Sequence, residues 1–142
     1  MGDPQPLRVL TILLALAFAV SVVHYTDNYL NYEDFPRAEG LPAPDASTVL
    51  ASWFAFTAFG LGGYALFRRR YYRAAALCLG LYSGSGLVGI GHYAAGGMTA
   101  AVWWRQAHVV ADIALALAIL GFAIWTLLRA AATRRAPRPA GP

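Results

Sequence analysis

Six residues in this chain have types and spacings that could form a site: His24, Asp27, Ser85, His92, His108 and Asp112. Histidine nitrogen with carboxylate oxygen is the donor set of zinc, non-haem iron or manganese. Asp27 follows His24 by three residues and Asp112 follows His108 by four, so on helices each acid shares a face with a histidine. His24, His92 and His108 can supply ring nitrogens and Asp27 a carboxylate, while Asp112 can orient His108 through its second nitrogen. Three protein ligands would leave one position open, where a metal-bound water becomes a nucleophile or base. Ser85 stands at helical spacing below Gly89 and His92, placed to hydrogen-bond a reacting group. Asp112 and Ser85 are therefore the candidate catalytic residues, and His24, Asp27, His92 and His108 the candidate ligands.

Each residue also has a plainer reading. A histidine at a membrane interface needs no function, and a helix serine commonly bonds its own backbone. Asp112 resists that treatment. An aspartate well inside an apolar helix costs ~2.5–3.5 kcal/mol on insertion scales, so it requires a neutralising partner. Arg105 and Gln106 are the nearest in sequence.

The elements that must hold these residues are apolar. Of 142 residues, 58% are hydrophobic and 13% charged, and the mean hydropathy is +0.49. That charge content is about half the soluble average. Four apolar runs, about 7–26, 48–67, 74–93 and 103–128, are each long enough to cross a bilayer. The first has no clear small-x-small cleavage site after it and reads as a span rather than a signal peptide. The expected fold is all-α, a single membrane domain over 1–142 built as a four-transmembrane-helix bundle. An outward loop covers 27–47, whose Leu41-Pro42-Ala43-Pro44 reads as an extended connector, with Asp45 or Ser47 capping the second helix. A basic turn covers 68–73, and a basic, proline-rich tail over 129–142 is expected to be disordered. Gly80 with Gly84, and Ser85 with Gly89, make two small-xxx-small patterns suited to close helix packing. The lone Cys78 cannot form an intrachain disulfide and reads as a small apolar residue.

The arginines set the expected topology. Arg8, Arg68, Arg69, Arg70, Arg73, Arg129, Arg134, Arg135 and Arg138 share one side, against Arg37 and Arg105 on the other. The positive-inside rule puts the nine, and both termini, in the cytoplasm. The three histidines then fall at one depth near the outer face. Basic residues that are all arginine, in a chain rich in alanine and glycine, point to a bacterial inner (cytoplasmic) membrane.

The expectation is a multi-pass membrane protein with an outward-facing His/Asp site that binds a divalent transition metal (Zn, Fe or Mn) and acts on a lipid-like, apolar substrate. The alternatives are a non-enzymatic membrane subunit, or a small proton- or cation-coupled transporter working as a homo-oligomer. A further alternative is a haem held between two histidines, with glycines making room. No phosphate-binding loop followed by lysine and no paired-cysteine motif occurs. Gly84-Ser85-Gly86 is too deep in an apolar run for a nucleophile elbow. Nucleotide hydrolysis and nucleic-acid binding are not expected, and the bilayer is the expected partner.

Overall fold

The computed structural model describes residues 5–36 and 44–135, with side chains to 132. Five helices account for most of them: α1 (Gln5–Leu30), α2 (Ala46–Arg68), α3 (Tyr72–Leu87), α4 (Ile90–Ala94) and α5 (Trp103–Arg135). Among the described residues there is no strand. Four segments, Gln5–Leu30, Ala46–Arg68, Tyr72–Ala94 and Trp103–Ala132, are long and apolar enough to span a membrane. Their outward faces carry large apolar side chains such as Phe54, Leu61, Leu77, Val88 and Leu128, each more than 60% exposed. A soluble monomer rarely leaves so much apolar surface to water.

The four long helices pack cyclically, with α1 beside α2 and α5, and α3 beside α2 and α5. Each core-facing stripe follows the 3.6-residue period. On α5 it runs Arg105, His108, Val109, Asp112, Ala116, Ile119, Ala123 and Thr126; on α1 it includes Leu10, Ala17, Ser21, His24 and Asn28. Both stripes are polar at one end and apolar at the other. The apolar end forms the main core, in which Leu10, Leu79 and Ile119 are at most 1% exposed.

Two helix boundaries differ from expectation, and both bear on the site. The helix of α1 continues through Asp27 to Leu30, where a loop from 27 is expected. His24 and Asp27 bury against α5, and Asn28 against His92 of α4, rather than meeting water, so the helix outlasts its apolar run. A 3₁₀ turn over Tyr32–Asp34 follows and brings Phe35 back over the helix end. The third span is not one helix. Its hydrogen bonds tighten at Gly89 N–H to Gly86 O and Gly91 N–H to Val88 O, dividing α3 from α4. Ser85 and His92 therefore do not share a continuous helix face.

Elsewhere the boundaries follow local chemistry. Asp45 is the α2 cap, accepting from the Thr48 N–H at 2.6 Å. That N–H holds the Asp45 carboxyl below its ordinary range. The cap is thus intact above the usual carboxylate value and is lost as pH falls through the lowered one. Between α2 and α3, Arg70 takes a left-handed conformation, φ 65°. The expected disordered tail is helical as far as Arg135. Ala130-Ala131-Ala132 favour helix strongly and the first proline comes only at Pro137. The extended connector lies outside the described residues except for Pro44, as do residues 136–142.

Gly86 lets the helices meet at the level of the site. A Cβ added there would lie 2.6 Å from the Asp112 carbonyl oxygen and 2.8 Å from the Ala116 Cβ. The first obstacle is backbone and cannot swing away. Gly86→Ala is expected to destabilise the bundle by ~1–3 kcal/mol, the usual cost of overpacking. A melting temperature equal to wild type in detergent would show that α3 and α5 do not approach so closely.

Candidate functional site

At the polar end of the bundle, three helices contribute ionisable side chains. From α1 come His24 and Asp27, 3% and 6% exposed; from α5 come Arg105, His108 and Asp112, 7%, 9% and 3% exposed. The half-buried His92 comes from α4. The expected convergence of the three histidines is present. The His24 ring centroid lies 5.4 Å from that of His108 and 5.9 Å from that of His92.

The pairings between acids and histidines cross the helix boundary. The His24 Nδ1–H donates to Asp112 Oδ2 at 2.7 Å. The His108 Nε2–H donates to Asp27 Oδ2 at 3.1 Å. Sequence spacing puts each acid on one face with the histidine of its own helix, with Asp112 orienting His108 and Asp27 a ligand. The structure exchanges them, because both stripes face the α1–α5 seam and a side chain reaches its neighbour across the seam more directly than along its own axis. Asp112 therefore takes its partner from α1, not from Arg105 or Gln106. Gln106 instead donates to the loop carbonyls of Ala101 at 2.7 Å and Thr99 at 3.2 Å.

Arg105 is committed to Asp27. Its Nε donates to Oδ2 at 2.8 Å and its Nη2 to Oδ1 at 3.3 Å, a forked contact. Nη2 also reaches Asp34 Oδ2 at 3.2 Å, and the Asp34 side chain is 61% exposed. Asn31 Nδ2 donates to Asp27 Oδ1 at 2.7 Å. Asp27 is thus surrounded by Arg105, Asn31 and His108, and its oxygens are occupied as acceptors. It is not poised as the carboxylate ligand of an ion.

Aromatic rings close the cluster. Phe35 is 3% exposed. Its ring stacks on His24 at 6.3 Å, meets His92 at 4.9 Å, and lies 5.0 Å from the Arg105 guanidinium carbon. Trp104 covers His108 at 5.7 Å and Arg105 at 5.4 Å. Asn28 Nδ2 donates to His92 Nε2 at 3.2 Å. Ser85 is buried, but what it offers is its carbonyl, which accepts from the Tyr25 hydroxyl at 3.1 Å. Its hydroxyl makes no hydrogen bond to the histidines or aspartates.

Arg105, Asn28, Asn31 and Phe35 were not among the expected site residues. Asn28 lies four residues after His24, and Asn31 four after Asp27. Both would have shared a face with the site had the helix been extended beyond its apolar run. Phe35 carries no such signal, because it arrives through the 3₁₀ turn.

Two properties of the cluster are chemically consequential. The buried charges among the described residues are two carboxylates, Asp27 and Asp112, against one guanidinium, Arg105. One more positive charge is needed for neutrality. Second, the His108 Nδ1 atom is buried with no hydrogen-bond partner. Because Nε2 must carry a proton to face Asp27, Nδ1 in the neutral ring is a bare lone pair. For metals, no group of three or more His, Cys, Asp or Glu among the described residues is placed to hold an ion. Compared with family models, with curated proteins and with solved structures, the chain matches none.

Proposed function

We propose that this is a small proton-coupled membrane protein of the transporter type, whose working group is the His24–Asp112 pair. Its four spans cross the bacterial cytoplasmic membrane with the arginine-rich end and both termini inside and the histidine cluster toward the outer face. The observation that carries the reading is the charge imbalance. With two buried carboxylates against one guanidinium, a proton on the His24 imidazole leaves the cluster neutral, and its absence leaves one negative charge in excess. Binding and release of that proton changes the local charge by a full unit inside an apolar bundle. Arg105 bridges buried Asp27 to exposed Asp34. A cluster of bases and a fixed cation, with no hydrogen bond from the Ser85 hydroxyl to them, favours proton exchange over hydrolysis of a lipid-like substrate.

The test is proton counting. The detergent-purified protein is titrated in weak buffer between about pH 5 and pH 8, where histidine ordinarily changes charge. His24→Gln and Asp112→Asn are each expected to alter the proton uptake, by up to one proton per chain for His24→Gln. Titration curves that superimpose on wild type for both variants would sink the proposal.

A second reading rests on the orphaned His108 Nδ1. His24 and His108 each have one nitrogen held by a carboxylate, the arrangement that orients metal-bound histidines. With His92, which would have to leave Asn28, they are the residues that would draw together around a transition metal, with Asp27 and Asp112 behind the ligands. Elemental analysis separates the readings: a stoichiometric metal lost in His108→Ala supports this one. The bis-histidine haem alternative predicts a Soret band in the same sample.

A further inference from the structure

The end of the bundle opposite the histidines holds a separate feature. A cavity of about 350 Å³ opens sideways between α1 and α2, lined by Thr11, Ala15 and Phe18 on one wall and Thr57, Leu61 and Tyr64 on the other. Each wall is one helix face. On α1 the positions run 8, 11, 15 and 18, and on α2 they run 57, 61, 64 and 68. Both stripes therefore end in an arginine at the same end, Arg8 and Arg68. The Arg68 guanidinium carbon lies 5.9 Å over the Tyr64 ring. The Thr11 hydroxyl meets the Tyr64 hydroxyl at 3.4 Å one turn above, tying the walls together. Both arginines are exposed, and among the described residues no carboxylate stands at that end.

We propose that this groove seats one anionic phospholipid from the leaflet at the arginine end. Its phosphate lies between Arg8 and Arg68, and one acyl chain lies along the α1–α2 groove. Length supports the assignment. From Arg8 to Phe18 is ten residues, about 15 Å of helix rise. That is half of the ~30 Å hydrocarbon core, the depth one acyl chain occupies. Chemistry supports it as well. The walls are almost wholly apolar, as a chain requires, while the mouth presents two cations with no carboxylate beside them among the described residues, as a phosphate requires. A second protein helix would fill the groove but leave the arginines unanswered. A zwitterionic lipid would bring its own cation to them.

The inference is tested with phospholipids brominated on the acyl chain, which quench tryptophan on contact. Trp53 reports on the groove, its ring being 5.7 Å from that of Phe18, and the quenching lost in Trp53→Phe isolates its signal. Brominated phosphatidylglycerol is expected to quench Trp53 at a lower mole fraction than brominated phosphatidylcholine. Arg8→Gln and Arg68→Gln should each weaken the phosphatidylglycerol preference about fivefold, and roughly 25-fold together. Ala15→Phe and, on the opposite wall, Leu61→Phe should remove chain binding by filling the groove. All four positions are exposed, so folding is preserved. Equal quenching by the two lipids in wild type would overturn the proposal. So would an equal loss in Arg129→Gln, which would indicate general attraction to the positive end. Retention in both groove-filling variants would deny a chain site, and removal of the preference by inorganic phosphate would identify a free anion as the ligand.

Discussion

Arg105→Met is expected to destabilise the protein by about 3–5 kcal/mol. The side chains of Arg105 and Asp27 are 9% and 5% exposed, and the guanidinium makes both of its contacts to Asp27 at 2.8 and 3.3 Å. Methionine keeps much of the volume and removes the charge, leaving the Asp27 carboxylate buried with only neutral donors from Asn31 and His108. The same change frees Asp34, which is mostly in water and costs little. Reversible unfolding of the detergent-solubilised protein measures the effect. Arg105→Lys should recover only part of it, because an ammonium cannot reproduce the forked contact to Asp27 together with the reach to Asp34. Adding Asp27→Leu to Arg105→Met should recover most of the loss, since the stranded carboxylate is then gone. A loss below about 1 kcal/mol for Arg105→Met would place the pair in the exposed class, with water reaching Asp27.

His24→Leu should cost a comparable ~3–5 kcal/mol, for the same reason applied to Asp112. His24 and Asp112 are both 3% exposed and joined at 2.7 Å. Removing the imidazole strands a carboxylate deep in an apolar helix. The double variant His24→Leu/Asp112→Leu is the informative one. Replacing a buried pair by well-packed apolar side chains is often neutral or stabilising by ~1–4 kcal/mol. The double variant is therefore expected to melt near or above wild type while losing the proton exchange assigned to the pair. That combination separates function from folding: the pair is retained for what it does, at a cost in stability. If the double variant is less stable than either single one, the pair is a structural strut and the proton-coupled reading loses its support.

The cluster also defines what its protection depends on. Phe35 closes it from the loop side while touching His24, His92 and Arg105 at once. Its position depends on the short 3₁₀ turn and on the Arg105–Asp34 contact beside it. The seal over the site and the charge that neutralises Asp27 thus share one residue, Arg105.

Much of this architecture was legible from residue order. Apolar runs of spanning length located four helices, and the arginine asymmetry grouped their ends. The same topology brought His24, His92 and His108 to one depth, and the cost of Asp112 announced a partner before any partner was known. These inferences rest on the solvent alone: a bilayer demands apolar length and penalises charge, whatever the neighbouring helix is.

Partnership was decided only by tertiary structure. His24 and Asp112 are 88 residues apart in the chain, and His108 and Asp27 are 81 apart. Periodicity identifies the face on which a side chain stands, but the rotation of one helix against the next decides which side chain it meets. Hence Asp112 pairs with His24 instead of orienting His108, and Asp27 is committed to Arg105 instead of serving as a free ligand. The extra turn of α1 and the break at Gly86–Gly91 escaped for a related reason. Both depend on close approach between helices, through polar groups that bury together and a glycine that leaves room for the Asp112 carbonyl.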